Sequence, residues 1–137
     1  MENYKGCIII PAYNEEKKIA EVVRLSVNHL PTLVIDDGSR DGTANVAKEN
    51  GENVISQIKN QGKGVALKRG FAEAIHSGID YAITIDADGQ HDVNEIKKFQ
   101  NEFFTKKTDL VIGFRDFSKI PLSRKLANTI GGAAFSW

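Results

Sequence analysis

Two carboxylates one residue apart, Asp86 and Asp88, close the apolar run in Ile83-Thr84-Ile85-Asp86-Ala87-Asp88-Gly89-Gln90. Acids that reach one crevice repel each other, and a bound cation is the simplest resolution. Hard divalent ions accept carboxylate oxygens, and magnesium takes one or two of them together with substrate phosphates. The spacing therefore points to a metal that holds a phosphorylated ligand. Two other stretches have the same form: Pro11-Ala12-Tyr13-Asn14-Glu15 follows Cys7-Ile8-Ile9-Ile10, and Asp36-Asp37-Gly38-Ser39 follows Thr32-Leu33-Val34-Ile35. Each alone reads as a turn or a helix cap. Together they gather like charge at one rim, which costs stability unless something neutralises it.

The elements that must position these residues follow from periodicity. Buried strands are expected over residues 5–10, where Pro11 ends the run, and over 32–35, 53–58, 80–85 and 109–113. Helices are expected between them. Ile19, Val22, Val23, Val27 and Leu30 share one face over residues 15–30, with Asn14 as the cap. Residues 43–50 form a second helix closed by Gly51, and 64–77 a third ended by Gly78; Val93, Ile96, Phe99 and Phe103 mark a fourth. The alternation βαβαβαβαβ predicts an α/β fold, a mainly parallel Rossmann-like sheet with helices on both faces. Ligands of such sheets gather at the carboxyl ends of the strands, where all three acidic clusters fall.

Length and composition bound the partners. A chain of 137 residues is expected to form one domain, and its 18 basic and 18 acidic residues balance, so no global field draws it to nucleic acid or an acidic membrane. Cys7, the single cysteine, sits in an apolar run and suits a reducing compartment. Neither a signal peptide nor a membrane-spanning run is seen, so a soluble, cytoplasmic chain is expected. Residues 120–137 carry Leu122, Leu126, Ile130, Phe135 and Trp137 beside Lys119, Arg124 and Lys125. Exposed aromatics there need a cover. The alternatives are a helix docked on the sheet, a fragment of something longer, or an interfacial helix facing a lipid.

Single motifs are tested by their spacing. Asp37 to Gly42 starts like a calcium-binding EF-hand loop, but Lys48 stands where a bidentate Glu is required. Asn60-Gln61-Gly62-Lys63-Gly64 lacks the ending of a P-loop and the spacing of a dinucleotide turn, and reads either as a flexible turn or as a close approach to a diphosphate. His29, His76 and His91 have no metal-ligand spacing, and His91 stays open as a site residue beside the acidic pair.

Taken in order, the Pro11 to Glu15 stretch, Asp36-Asp37-Gly38-Ser39-Arg40-Asp41-Gly42-Thr43, Asn60 to Gly64 and Asp86-Ala87-Asp88-Gly89-Gln90-His91 resemble the inverting family 2 glycosyltransferases, nearest the dolichol-phosphate mannose and polyprenyl-phosphate glucose synthases. The resemblance implies a GT-A nucleotide-sugar-binding domain, a GDP- or UDP-sugar donor, Mg2+ or Mn2+, and a polyprenyl or dolichyl phosphate acceptor at the inner face of a membrane. It implies that Pro11, Ala12, Tyr13 and Glu15 line the nucleoside pocket and that Asp36 or Asp37 holds the base or ribose. Lys63 and Gly64 would meet the diphosphate, with Asp86, Ala87 and Asp88 around metal and diphosphate and Gln90 as a further metal ligand. Arg115 and Arg124, with Asp88, would carry the catalytic step. Phe114 replaces the usual serine before Arg115, and Asn128 stands where that branch often has serine. Family members continue past this point, so the chain is expected to cover the donor half, lack the C-terminal acceptor-site portion, and bind donor with weak or no transfer. Three rival readings are a haloacid-dehalogenase phosphatase, from Asp86-Ala87-Asp88-Gly89; a response-regulator receiver, from Asp36-Asp37; and a non-catalytic nucleotide-sugar-binding remnant.

Overall fold

Gly6–Ala12 form β1, buried along its whole length because it has a strand on each side and a layer of helices on each face. The computed structural model describes residues 3–51 and 53–113. Within them β1 lies between β2 (Thr32–Asp36) and β4 (Tyr81–Thr84), and β3 (Asn53–Ser56) pairs with the far edge of β2. All pairings are parallel. The helices are α1 (Ile19–Val27), α2 (Thr43–Asn50), α3 (Lys63–His76) and α4 (Ile96–Lys106), the last entered through a 3-10 turn, Val93–Glu95.

Alternation along β1 sorts the core into two layers, since successive side chains of a strand point to opposite faces. Ile8, Ile10 and Ala12 pack with Ile19, Val22 and Val23 of α1, Ala47 of α2, and Val93 and Ile96. Cys7 and Ile9 join Ile35 with Ala66 and Ala74 of α3 on the other face. Gly70 lets α3 close on the sheet, because a β-carbon there would lie 2.5 Å from Ile9 Cγ2. The expected α/β sheet with helices on both faces is the observed one.

The order β3-β2-β1-β4 reverses direction at β1, since β2 and β3 are laid down on one side of it and β4 on the other. A crevice opens at such a reversal, at the carboxyl ends of the strands. Pro11 shapes it. Even-numbered residues of β1 bond towards β2, as in Ile8 N–H to Pro31 O (2.9 Å) and Asp37 N–H to Ala12 O (2.8 Å). Odd-numbered ones face β4, as in Ile85 N–H to Ile9 O (3.1 Å). Pro11 therefore faces the β4 side without an N–H to offer, and pairing there ends at Ile9 opposite Thr84 while β1 and β2 continue to Ala12 and Asp36. The proline does not end β1 as the sequence suggested; it ends only the side towards β4.

Other expectations are corrected. Asn14 does not cap α1, which begins at Ile19 after a turn closed by Glu15 O; Asn14 instead takes a left-handed conformation (φ 53°) and faces the loop after β2. Asparagine tolerates that conformation better than most residues. β3 stops at Ser56, and α3 starts at Lys63. Residues 109–113 form no strand, and Leu110 and Ile112 are exposed. Three apolar residues do not make a strand without a backbone to pair with, and none of the described residues pairs with them. By density of packing the chain divides into Met1–Lys98, which holds the whole sheet, and Phe99–Trp137. Residues 120–137, Arg115, Arg124 and Asn128 lie outside the described residues.

Candidate active site at the carboxyl edge of the sheet

The loops after β1, β2 and β4 and the start of α3 enclose an open cleft of ≈ 360 Å³ at the β1/β4 reversal. That size suits a small ligand. Its walls are Pro11, Ala12, Tyr13 and Glu15, then Asp37, then Asn60, Lys63 and Ala66, and finally Asp86, Ala87 and Asp88. Nine residues singled out from sequence thus meet at one cleft. Asp36, Gly64 and Gln90 do not line it. Asn60 and Ala66 do, though neither was singled out as a site residue; Ala66 lies three positions after Lys63 on the buried face of α3, and only its helical register could have signalled that.

The loop after β1 is held by the loop after β2. Asn14 N–H donates to Ser39 Oγ (2.9 Å), Glu15 N–H to Thr43 Oγ1 (2.8 Å) and Glu16 N–H to Asp41 Oδ2 (3.3 Å). In return Arg40 N–H donates to Asn14 Oδ1 (2.9 Å) and Gly42 N–H to Glu16 Oε2 (2.6 Å). Asp41 also accepts from the Thr43 amide (3.0 Å) and from its hydroxyl. Desolvation pushes the exposed Asp41 carboxyl up, but the bonds from Thr43 and Glu16 outweigh it and hold the group below its usual value. Ser39, Asp41 and Thr43 therefore act as a bracket that fixes Tyr13 and Glu15 at the cleft.

The two acids after β2 part company. Asp36 turns to its own loop, where its Oδ1 accepts from Ser39 N–H (3.1 Å). Asp37, only 3% exposed, reaches across to the loop after β3. Its Oδ1 accepts from Gln57 Nε2 (2.8 Å) and Gln61 N–H (2.9 Å), and its Oδ2 from Gly62 N–H (2.8 Å). Those bonds answer its buried charge. They also anchor the residues just before α3, where Gly62 (φ 97°) supplies a turn that a side chain would resist.

Lys63, the first residue of α3, extends to the loop after β4 and forms an ion pair with Asp86 Oδ1. On the other side His91 Nδ1 accepts from Asp86 N–H (3.0 Å). Acceptance there leaves the proton on His91 Nε2, which lies 3.7 Å from Asp86 Oδ2. His91, left open from sequence, is thus the support of the Asp86 loop. Asp88 Oδ1 accepts from Gln90 N–H (2.9 Å), so Gln90 shapes the turn through its backbone.

Asp86 and Asp88 offer hard oxygen donors at the cleft, and no group of three or more His, Cys, Asp or Glu side chains among the described residues could hold a metal unaided. This donor set fits a magnesium-type ion completed by ligand phosphate rather than a closed protein cage.

Residues 7–129 match the Glycosyl transferase family 2. The UDP-N-acetylglucosamine--dolichyl-phosphate N-acetylglucosaminyltransferase of Methanococcus voltae is 36% identical over 145 residues, a match covering 88% of this chain and 58% of that protein. The chain thus spans little more than half the length of that relative. Glucosyl-3-phosphoglycerate synthase from Mycobacterium tuberculosis matches in structure over 92% of this chain and 51% of its own, with TM-score 0.67 and 22% identity, which speaks to the fold alone. A crystal of that enzyme with Mg2+ and uridine diphosphate matches at TM-score 0.54 and 28% identity over 62% of this chain and 34% of its own. Another, with Mn2+, UDP-glucose and phosphoglyceric acid, matches at TM-score 0.54 and 28% identity over 62% and 33%. The parallel sheet, its carboxyl-edge cleft and the match over residues 7–129 agree: the chain has a GT-A fold and belongs to the family 2 glycosyltransferases.

Proposed function

We propose that this chain is the donor-binding part of a metal-dependent, inverting glycosyltransferase that takes a nucleoside-diphosphate sugar and passes the sugar to a polyprenyl or dolichyl phosphate. The observation that carries the reading is the meeting of Asp86 and Asp88 with the Pro11 to Glu15 wall in one cleft. In this reading Tyr13, Glu15 and Asp37 receive the nucleoside, and Asp86 and Asp88 hold Mg2+ or Mn2+ against the diphosphate. Bound there, the ion neutralises charge that grows on the leaving phosphate oxygen. Gln90 shapes the acidic turn and Lys63 supplies a cation at the start of α3. A phosphate acceptor is already an anion and needs no protein base, so Arg115 and Arg124 are assigned to positioning it. UDP-sugars are favoured over GDP-sugars by the names of the relatives above, and the lipid phosphate by the dolichyl-phosphate relative. That acceptor would place the protein at the inner face of a membrane, peripherally.

A phosphatase built on the DxDG loop would carry that loop after its first strand, whereas here it follows β4. A donor-binding remnant without transfer activity is the second reading; the cleft among the described residues accounts for binding alone.

Calorimetric titration with UDP- and GDP-sugars, with and without Mn2+, tests the reading. Nucleotide binding is expected to need the metal, and Asp88→Ala is expected to lose it with the circular dichroism spectrum unchanged. Undiminished metal-dependent binding in that variant would remove Asp88 from the site.

A further inference from the structure

Both oxygens of the Asp86 carboxylate already face a nitrogen of the protein: Lys63 Nζ on Oδ1, and His91 Nε2 at 3.7 Å from Oδ2. The Asp88 carboxylate has one contact among the described residues, the Gln90 amide. A cation entering the bare cleft therefore meets one free acid and one that carries its own counter-ion. Lys63 does not reach Asp86 by chance of a loose loop, because Asp37 pins the amides of Gln61 and Gly62 immediately before it. Its side chain is nonetheless 59% exposed and its ammonium sits on a flexible stem, so it can leave. A diphosphate gives it somewhere to go, since the cleft wall that carries Lys63 is the one facing Asp86 and Asp88.

We infer that Lys63 is a resident counter-ion that keeps the divalent cation off Asp86 until a nucleoside diphosphate draws the ammonium away, so that metal and nucleotide load together. This rests on the donor-site reading above and adds a sign to it. A residue that only bound phosphate would weaken nucleotide binding when removed and leave the metal alone. A resident counter-ion does both: its removal strengthens binding of the bare metal and weakens binding of the nucleotide.

The test titrates the 137-residue chain with Mn2+ alone, following free Mn2+ by electron paramagnetic resonance, and then with UDP at saturating Mn2+. Lys63→Met is expected to bind Mn2+ alone roughly threefold or more tightly than the unaltered chain, the size an exposed ion pair supports. It is also expected to bind UDP more weakly by a similar factor. Lys63→Arg keeps the charge and is expected to behave as the unaltered chain with Mn2+ alone. If Lys63→Met binds bare Mn2+ no better than the unaltered chain, including where neither binds detectably, the counter-ion role is overturned while the donor site stands on its UDP binding. If the unaltered chain binds no UDP in the presence of Mn2+, the donor-site reading fails and the inference with it.

Discussion

Thr43 does three things with one hydroxyl and one amide: it accepts from Glu15 N–H, donates to Asp41, and places its own N–H on the same carboxylate. It is fully buried, so Thr43→Val would leave the Glu15 amide without its acceptor. The expected loss is about 1–3 kcal/mol of stability, measured by denaturant midpoint, together with weaker nucleotide binding as Tyr13 and Glu15 loosen; Thr43→Ser should keep both. The acid side of this bracket gives a pH dependence of known sign. Because the Asp41 carboxyl titrates lower in the folded chain than its usual 3.8, its contribution is complete above that value and fades as pH falls through the lower folded value. Asp41→Asn should flatten the acid limb of stability against pH, and an unchanged limb would show that Asp41 contributes nothing there. Sequence alone made Ser39, Arg40, Asp41 and Thr43 part of a recognition pattern. Their partners lie 25 to 28 residues away across two loops, a pairing that no local rule of turns or caps contains.

The strands and helices were more legible than the loops, for a physical reason. Cys7 to Ile10 and Leu33 to Ile35 are continuous apolar runs because both their faces are covered, and that shows in sequence. The stop of a strand is less visible: in sequence Pro11 reads as the end of β1, but its effect depends on which neighbour its nitrogen faces. Residues 109–113 carry a similar apolar run, yet a strand also needs an edge to pair with, and that is a property of the assembled sheet. Close approach is equally silent in sequence. Gly70 reads as an ordinary helical glycine, yet a β-carbon at 2.5 Å from Ile9 Cγ2 and 3.3 Å from Ile35 Cγ1 has no room. Gly70→Ala is expected to destabilise by about 1–3 kcal/mol, the usual cost of overpacking, despite alanine's better helix propensity. A thermal melt that rises instead would mean that α3 shifts on the sheet without penalty.

At the scale of the molecule, charge balance leaves every partner to be recruited by a local site, and the described site is the cleft at the carboxyl edge of the sheet. Matches to longer relatives cover little more than half of their length, and the acceptor assignments Arg115 and Arg124 lie outside the described residues. On the donor-binding reading the chain is expected to bind nucleotide with metal and to transfer little or no sugar to a polyprenyl phosphate in vesicles. Robust transfer by the purified chain, followed with a radiolabelled sugar, would show that these 137 residues hold the acceptor site as well.

The missing donor at Pro11 also bears on kinetics. A sheet that zipped fully between β1 and β4 would narrow the slot, and an arriving ligand would have to part backbone bonds. With an imide nitrogen at that rung β1 has no N–H to donate, so the sheet has one bond fewer with which to draw the slot shut and one fewer to part when a ligand enters.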